Sequence, residues 1–448
     1  MKFRHFVEFA TMRAKDAARH SRTLRHLNAL RMAAQAGVSD SVRSATLACR
    51  AIGFCEHGSL HRQLSKKLQP QIDAPPQPGF WDEVVRGSHE RYGDNLRQNP
   101  SLTRSIILKA PSANGEKGVL MIPFEYNWAR LALGLSNDEF AWLNKRYDFA
   151  LSCSWSPTDY ATLSLILSKT STDIFVQASN AREFTKIADF HPRIRLIPGI
   201  SACDWINPDF YPNLTGERPI DFLMIANWGE FKRHWDFFNA LRHLPATLRI
   251  VLVGQREGGR DAEFIRRQAS SFGVPQNLEI HQSLPITEVT RLQTQSKVAL
   301  IFSRREGGCV AFVEAMFAGC AVGIRADAHV GALAYVNENT GLLLRPGHLA
   351  EDLMTLLQMA GSLQPATWAA GHISCHHTHK KVNAFFRKYA AEKELPWTCD
   401  LATHHWRPYP AHTSQQEASA LLSTYRELHD KFPKVFGAEF FAHATVVV

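Results

Sequence analysis

The sequence predicts an α/β protein, and three observations carry that expectation. From residue 216 onward, apolar runs short enough for strands alternate with helical stretches of 10 to 15 residues, the rhythm of a parallel, doubly wound sheet. Between about 100 and 215 a second, less regular alternation of strands and helices precedes it. The 448 residues also exceed what one ordinary core holds, so two or three domains are the default.

Taken in order, the first 70 residues read as helices. They hold no glycine before Gly37 and no proline before Pro70, and apolar residues recur at helical spacing: Phe3, Phe6, Val7 and Ala10, then Leu24, Leu27 and Leu30. The stretch QPQIDAPPQPG at 69–79 is a stiff Pro-rich connector and the clearest boundary. Beyond it, SIILKAP, GVLMIPF, DFALSCS, DIFVQAS and RIRLIPG are strand-like, with TDYATLSLIL as a helix among them. From 216 the pairs are DFLMIANW with EFKRHWDFFNALRHL, LRIVLVGQ with DAEFIRRQASSFG, LEIHQSL with ITEVTRLQTQS, and KVALIFS with VAFVEAMFAG, followed by AVGIRA and GLLLRP. The tail from 361 is helical and rich in His and Trp, and ends in the amphipathic SQQEASALLSTYRELHDKF. These signals divide the chain into a basic helical extension with its connector (1–79), an α/β domain (80–215), a second α/β domain (216–360) and a C-terminal helical region (361–448).

Composition excludes several classes. With 45% hydrophobic and 21% charged residues it is that of a soluble protein. No apolar run approaches the roughly 18 residues that cross a bilayer, and no charged start leads into an export core, so a cytoplasmic protein is expected. The eight cysteines are dispersed without a Cys-x-x-Cys pair, which speaks against a zinc ribbon, a redox dithiol or a secreted disulfide scaffold. The His-rich HISCHHTHK at 372–380 fits no standard zinc spacing and reads as a surface or interface feature. No Gly-Lys-Ser or Gly-Lys-Thr forms a Walker loop, and ANGEKG at 113–118 is too short for one; it is read as an acceptor-side loop or an ordinary turn. Through residue 68, thirteen basic residues stand against four acidic ones, an excess equal to the +9 of the whole chain. That segment reads first as helices packed on the domain that follows, and second as a contact with an anionic membrane through Phe3, Phe6 and Val7. It carries no nucleic-acid motif.

In parallel sheets of this kind ligands bind outside the carboxyl ends of the strands, so the loops after strands hold the candidate chemistry. The stretch SRREGGCVAFVEAMFAGCAVG at 303–323 is a loop and helix following a buried strand. The N–H groups of Gly307, Gly308, Cys309 and Val310 would lie at a helix N-terminus, where unpaired donors and the helix dipole favour a phosphate. Glu306 would repel a phosphate and is better suited to accept from hydroxyl groups, as Glu314 further along the helix is from a second diol such as a ribose. A phosphate between two polyols describes a nucleotide sugar.

At these residues the chain resembles the retaining glycosyltransferases of the GT-B fold, the glycosyl transferases group 1. Their hallmark is a strand, Ser-x-x-Glu-Gly, a second Glu after seven intervening residues, Ala, a small residue and Gly, matched by Ser303, Glu306, Gly307, Glu314, Ala315 and Gly319. The resemblance implies two Rossmann-like domains facing a cleft, with the C-terminal helices crossing back to the first domain. It implies that 216–360 hold a nucleotide-diphosphate sugar donor and 80–215 a glycan or lipid-linked acceptor. Glu306 would then contact the transferred hexose, residues 307–310 its phosphate side and Glu314 the ribose, with no metal or other cofactor. A second family element places Arg and then Lys after the first strand of the donor domain; here the Lys is Lys232, but the Arg position is Asn227, read by itself as a strand-end cap. Arg233 and Arg305 are the cations available to compensate. Ser303, Asn227, Arg233 and Arg305 thus join the donor-binding set, Glu306 and Lys232 being the catalytic pair.

The implied chemistry is front-face transfer in which the departing diphosphate takes the acceptor proton, so no protein base is named, although Glu125 and Asp159 follow strands of the acceptor-side domain. The rival expectation is a non-catalytic protein that keeps the nucleotide-sugar fold and docks to a membrane or partner; Asn227 favours it, and the retained glutamates and Lys232 oppose it.

Overall fold

The computed structural model describes residues 2–75, 77, 79–88, 104–211, 215–406 and 409–440, with the side chains of residues 2–5 left aside. Phe3, expected on the apolar face of the extension, and Pro76 and Pro78 of the connector therefore lie outside the described side chains. The chain forms two compact α/β units. One comprises Met1–Ser21 with Ile206–Ser374, the other Arg22–Trp205 with Cys375–Val448.

The first unit is built on a six-stranded sheet in the order β11-β10-β9-β6-β7-β8, every described pairing in it parallel. Its strands are β6 (Ile220–Ile225), β7 (Ile250–Gly254), β8 (Leu278–Gln282), β9 (Ser296–Ile301), β10 (Ala321–Arg325) and β11 (Gly341–Leu344). The inner strands β10, β9, β6 and β7 are largely apolar because both of their faces are buried, whereas the edge strands β11 and β8, the latter Leu-Glu-Ile-His-Gln, are partly exposed. Phe222, Met224, Ile250 and Leu252 pack with helices His234–Leu241, Ala262–Phe272 and Leu349–Met359, while Leu223, Val251 and Val253 pack with Ile286–Thr294 on the other face. From β6 the chain adds β7 and β8 on one side, then returns to add β9 on the other side of β6. Strand order therefore reverses between β6 and β9, whose registers include Phe222 beside Val298. This is the crevice position that open parallel sheets use for ligands.

The first helix of the chain, α1 (Lys2–His20), belongs to this same unit. Glu8, Met12 and Asp16 stand four residues apart on one face. Phe9 meets Trp235 and Phe272 at ring-centroid distances of 5.6 and 6.4 Å, and the Ser271 hydroxyl donates to Glu8 at 2.8 Å.

The second unit has a five-stranded sheet in the order β1-β2-β3-β4-β5: β1 (Ile106–Lys109), β2 (Gly118–Pro123), β3 (Tyr147–Ser152), β4 (Ile174–Gln177) and β5 (Ile194–Leu196). β1 runs antiparallel to β2 and the other pairs are parallel. The remaining helices of the basic segment, α2 (Arg22–Gly37), α3 (Ser41–Phe54) and α4 (Ser59–Asp73), pack into this unit; α3 lies against α2, α4 and helix Tyr160–Lys169. α4 runs five residues into the stretch expected as connector, with Pro70 inside it. A proline in the last turn removes one helical hydrogen bond, but Leu64, Leu68 and Ile72 form a buried stripe that carries the helix past it. The C-terminal helices Cys375–Glu392 and Gln415–Lys431 complete the unit.

Candidate functional site

Two loops at the carboxyl ends of β6 and β9 bring the principal candidates together. After β6 the chain passes Ala226 to Gly229, makes a short 3-10 turn over Glu230–Lys232, and enters helix His234–Leu241 through Arg233 in the left-handed conformation (φ 60°). After β9 it passes Ser303 to Gly308 and enters helix Val310–Phe317 through Cys309, again left-handed (φ 66°). Lys232 Nζ donates to Glu306 Oε2 at 2.6 Å, and both side chains are close to nine-tenths buried. Burial works against the Lys232 charge, but the Glu306 carboxylate outweighs it and holds the ammonium above its ordinary range.

The loop after β9 is fixed by a second segment that the sequence pattern gave no reason to expect. Glu306 N donates to His329 O at 3.2 Å, Gly331 N to Gly307 O at 2.7 Å and Ala332 N to Gly308 O at 3.0 Å. The carbonyls of Gly307 and Gly308 are thus engaged, while among the described residues the N–H groups of Gly307, Gly308 and Cys309 make no backbone hydrogen bond. They are donors held at a helix N-terminus, the arrangement that suits an anion. Among the described residues, the fully buried Ser303 hydroxyl has no hydrogen-bond partner. Glu314 lies in the helix, 8% exposed. The Cys309 thiol is pushed up to about 12, by burial first and then by Glu306, and stays protonated.

The other candidates are placed as follows. Asn227 Oδ1 accepts from Gly229 N at 3.2 Å, capping its own turn at the end of β6. Arg233 is 4% exposed and its guanidinium is engaged with Asp236 at 3.0 Å. Arg305 forms an isolated parallel bridge with His329 through the backbone. His234, beside Lys232, is lowered to about 3 by burial and by the positive charges of Lys232 and Arg260, so it remains neutral.

In the second unit Glu125 is fully buried; it accepts from Ser154 N at 3.1 Å, Ser154 Oγ at 2.7 Å and Trp155 N at 3.3 Å, and burial raises it to about 7 against those bonds. Asp159 caps helix Tyr160–Lys169, accepting from Ala161 N at 3.0 Å and Thr162 Oγ1 at 2.6 Å. Glu116 of ANGEKG is buried against Lys109 and accepts from Thr398 N at 2.9 Å, tying the turn to the C-terminal region of the same unit. In the His-rich segment the ring of His372 stacks on Trp368 at 4.6 Å. Among the described residues no three His, Cys, Asp or Glu side chains come together so as to hold a metal ion, and no helix is long and apolar enough to cross a membrane.

Residues 208–365 match the family described as Glycosyl transferases group 1. No curated protein is similar enough to be matched with the chain. Among solved structures it is similar to the pneumococcal O-GlcNAc transferase GtfA in complex with UDP and GlcNAc, at 15% identity and a TM-score of 0.41, over 56% of this chain and 54% of that one. It thus spans about half the length of that relative. It is also similar to sucrose-phosphate synthase from Thermosynechococcus elongatus, at 13% identity and a TM-score of 0.46, over 71% and 81% of the two chains. A third is Anabaena HepE in complex with UDP and glucose, at 15% identity and a TM-score of 0.43, over 61% and 77%.

Proposed function

We propose that this protein is a glycosyltransferase that moves a hexose from a nucleotide-diphosphate sugar to a glycan or lipid-linked acceptor with retention of configuration. One observation carries the reading: Lys232 and Glu306, from loops after the two strands at which sheet order reverses, meet at 2.6 Å beside the N–H groups of Gly307 to Cys309. The match of residues 208–365 to the glycosyl transferases group 1 supports it.

On this reading the diphosphate of the donor takes the helix N-terminus, and Lys232 turns from Glu306 towards the leaving oxygen as negative charge grows there. Preorganised donors of this kind stabilise a departing anion in a site poor in water. Glu306, released from the ammonium, accepts from hydroxyls of the sugar, and Glu314 from the ribose. With Asn227 occupied in its own turn, Lys232 is the cation that the loop after β6 offers the diphosphate. No protein base is assigned. Glu125 and Asp159 spend their oxygens on their own scaffold, which supports proton transfer to the leaving diphosphate instead. The exposed Phe6 and Val7 on the basic helix α1 support a lipid surface as the place of action, on the cytoplasmic face.

The test is donor binding and consumption with UDP-, GDP- and ADP-sugars, with and without vesicles of anionic lipid, for the native protein and for Glu306→Ala and Lys232→Ala. One donor should be consumed, faster with vesicles, and each substitution should reduce consumption by about 10²–10³-fold. The second reading, a nucleotide-sugar binder without turnover, is favoured by Asn227 where the family has Arg. It takes over if a donor binds and is never consumed with any acceptor, and binding of no nucleotide sugar sinks both.

A further inference from the structure

Six charged side chains of the first unit close into a ring. Asp16 of α1 contacts Arg233 at 3.5 Å and Arg304 at 3.2 Å. Arg233 donates to Asp236 at 3.0 Å, Asp236 accepts from Arg325 at 2.6 Å, Arg325 donates to Asp327 at 2.9 Å, and Arg304 returns to Asp327 at 3.3 Å. Three carboxylates alternate with three guanidiniums, and the charges balance. The Asp16 to Arg233 contact is one of charge rather than an aligned hydrogen bond. Of the other five, Arg233 and Arg304 lie in the loops after β6 and β9, Asp236 in the helix that Arg233 opens, Arg325 at the end of β10 and Asp327 just after it; only Asp16 comes from far away in the sequence.

Its two arginine partners are well placed to act on the site. Arg233 directly follows Lys232, and Arg304 precedes Glu306 by one intervening residue. The loop after β6 therefore presents Arg233, and the loop after β9 presents Arg304, to the same carboxylate, two guanidiniums whose like charges would repel without it. Asp16 is 14% exposed and stands between them. It is held there by the packing of Phe9 on Trp235 and Phe272.

We propose that Asp16 is a positioning residue: delivered by α1, it bridges Arg233 and Arg304 and so sets the distance between the loops that carry Lys232 and Glu306. The kinetic consequence rests on the glycosyltransferase reading; the structural consequence does not. A displacement of about 1 Å at reacting groups is enough to cost about 100-fold in rate, so a bridge remote from the ligand can matter as much as a contact with it.

The experiment compares native protein with Asp16→Asn, which keeps the shape and removes the charge, with Asp16→Glu, and with Arg304→Gln, which breaks the same bridge from the other side. Two quantities are read: donor turnover, and amide hydrogen exchange in residues 227–233 and 303–309. Asp16→Asn and Arg304→Gln should lower kcat by about 10- to 100-fold with a smaller change in the donor KM, and speed exchange in both loops while exchange elsewhere in the unit is unchanged. Asp16→Glu should restore part of both. If exchange in the two loops is unchanged, or rises throughout the unit with kcat per folded molecule unaltered, the positioning role is overturned. If the native protein consumes no nucleotide sugar, the functional reading fails and exchange alone decides: faster exchange confined to the two loops upholds the bridge, and unchanged exchange removes it.

Discussion

Histidine shows most directly how this protein depends on its solvent. His61 and His412 are lowered to about 4 and His234 to about 3, each by burial before any neighbouring charge, and His404 also lies well below its ordinary range. An unfolded histidine takes up a proton below about pH 6.5, whereas these bind one in the folded state only below about 4 or 3. Between those limits the unfolded chain holds more protons, so stability is full above about 6.5 and declines as pH falls. Glu125, raised to about 7 by burial, runs the other way, its contribution growing as pH falls from 7 to 4.5. Burial also lowers His191 and His379 and also raises Asp148 and Asp236, so six imidazoles stand against three carboxyls and outweigh them. Thermal scans should show Tm falling between pH 6.5 and 4.5, and a His412→Asn variant should fall less steeply; equal slopes would show that His412 is not buried neutral. At this scale the catalytic candidates were legible because Glu306, Gly307 and Glu314 form a local pattern and Lys232 follows a recognisable strand. Arg233 was not. Read as a cation for the diphosphate, it is engaged with Asp236 and Asp16, and Asp16 lies on a helix at the other end of the sequence, where no local spacing points to it.

The two loops are positioned by close approach as much as by side chains. An added Cβ on Gly254, the last residue of β7, would lie 2.3 Å from the carbonyl oxygen of Ala226, which begins the loop bearing Asn227 and Lys232. Backbone cannot yield as a flexible side chain does, so Gly254→Ala should destabilise the protein by about 1–3 kcal/mol and displace the loop after β6. Denaturant unfolding together with donor binding would check this; a variant as stable as the native protein, binding with the same Kd, would show that the loop adapts freely. Every expected strand is present; for the inner strands burial of both sheet faces writes an apolar run, while the edge strands β5 and β8 are partly exposed and carry polar residues. Pairing direction left no such trace: β1 is as apolar as β2, yet it is antiparallel, a matter of which edge the chain enters. Pro70 misled for a related reason, because its cost falls on one hydrogen bond while the buried stripe of α4 extends over several turns.

The division of the basic segment between two units decides how the whole molecule can be taken apart. Composition treats residues 1–68 as one block, since charge is summed without regard to what each helix packs against. In the fold the block separates at Ser21: α1 joins Ile206–Ser374, and α2, α3 and α4 join Arg22–Trp205. The apolar pattern along α1, with Phe9 and Met12, signalled that it packs on something, but the partners Trp235 and Phe272 are specified only by the three-dimensional arrangement. A natural cut at the Pro-rich stretch would therefore leave the Lys232 loop without the helix that braces it. The same division makes α1 a detachable part. A peptide of residues 1–21, mixed with a chain that starts at Arg22, has a ready-made seat on the unit bearing Lys232 and Glu306, so the severed helix can act as a dose-dependent effector, with activity titrating against its concentration.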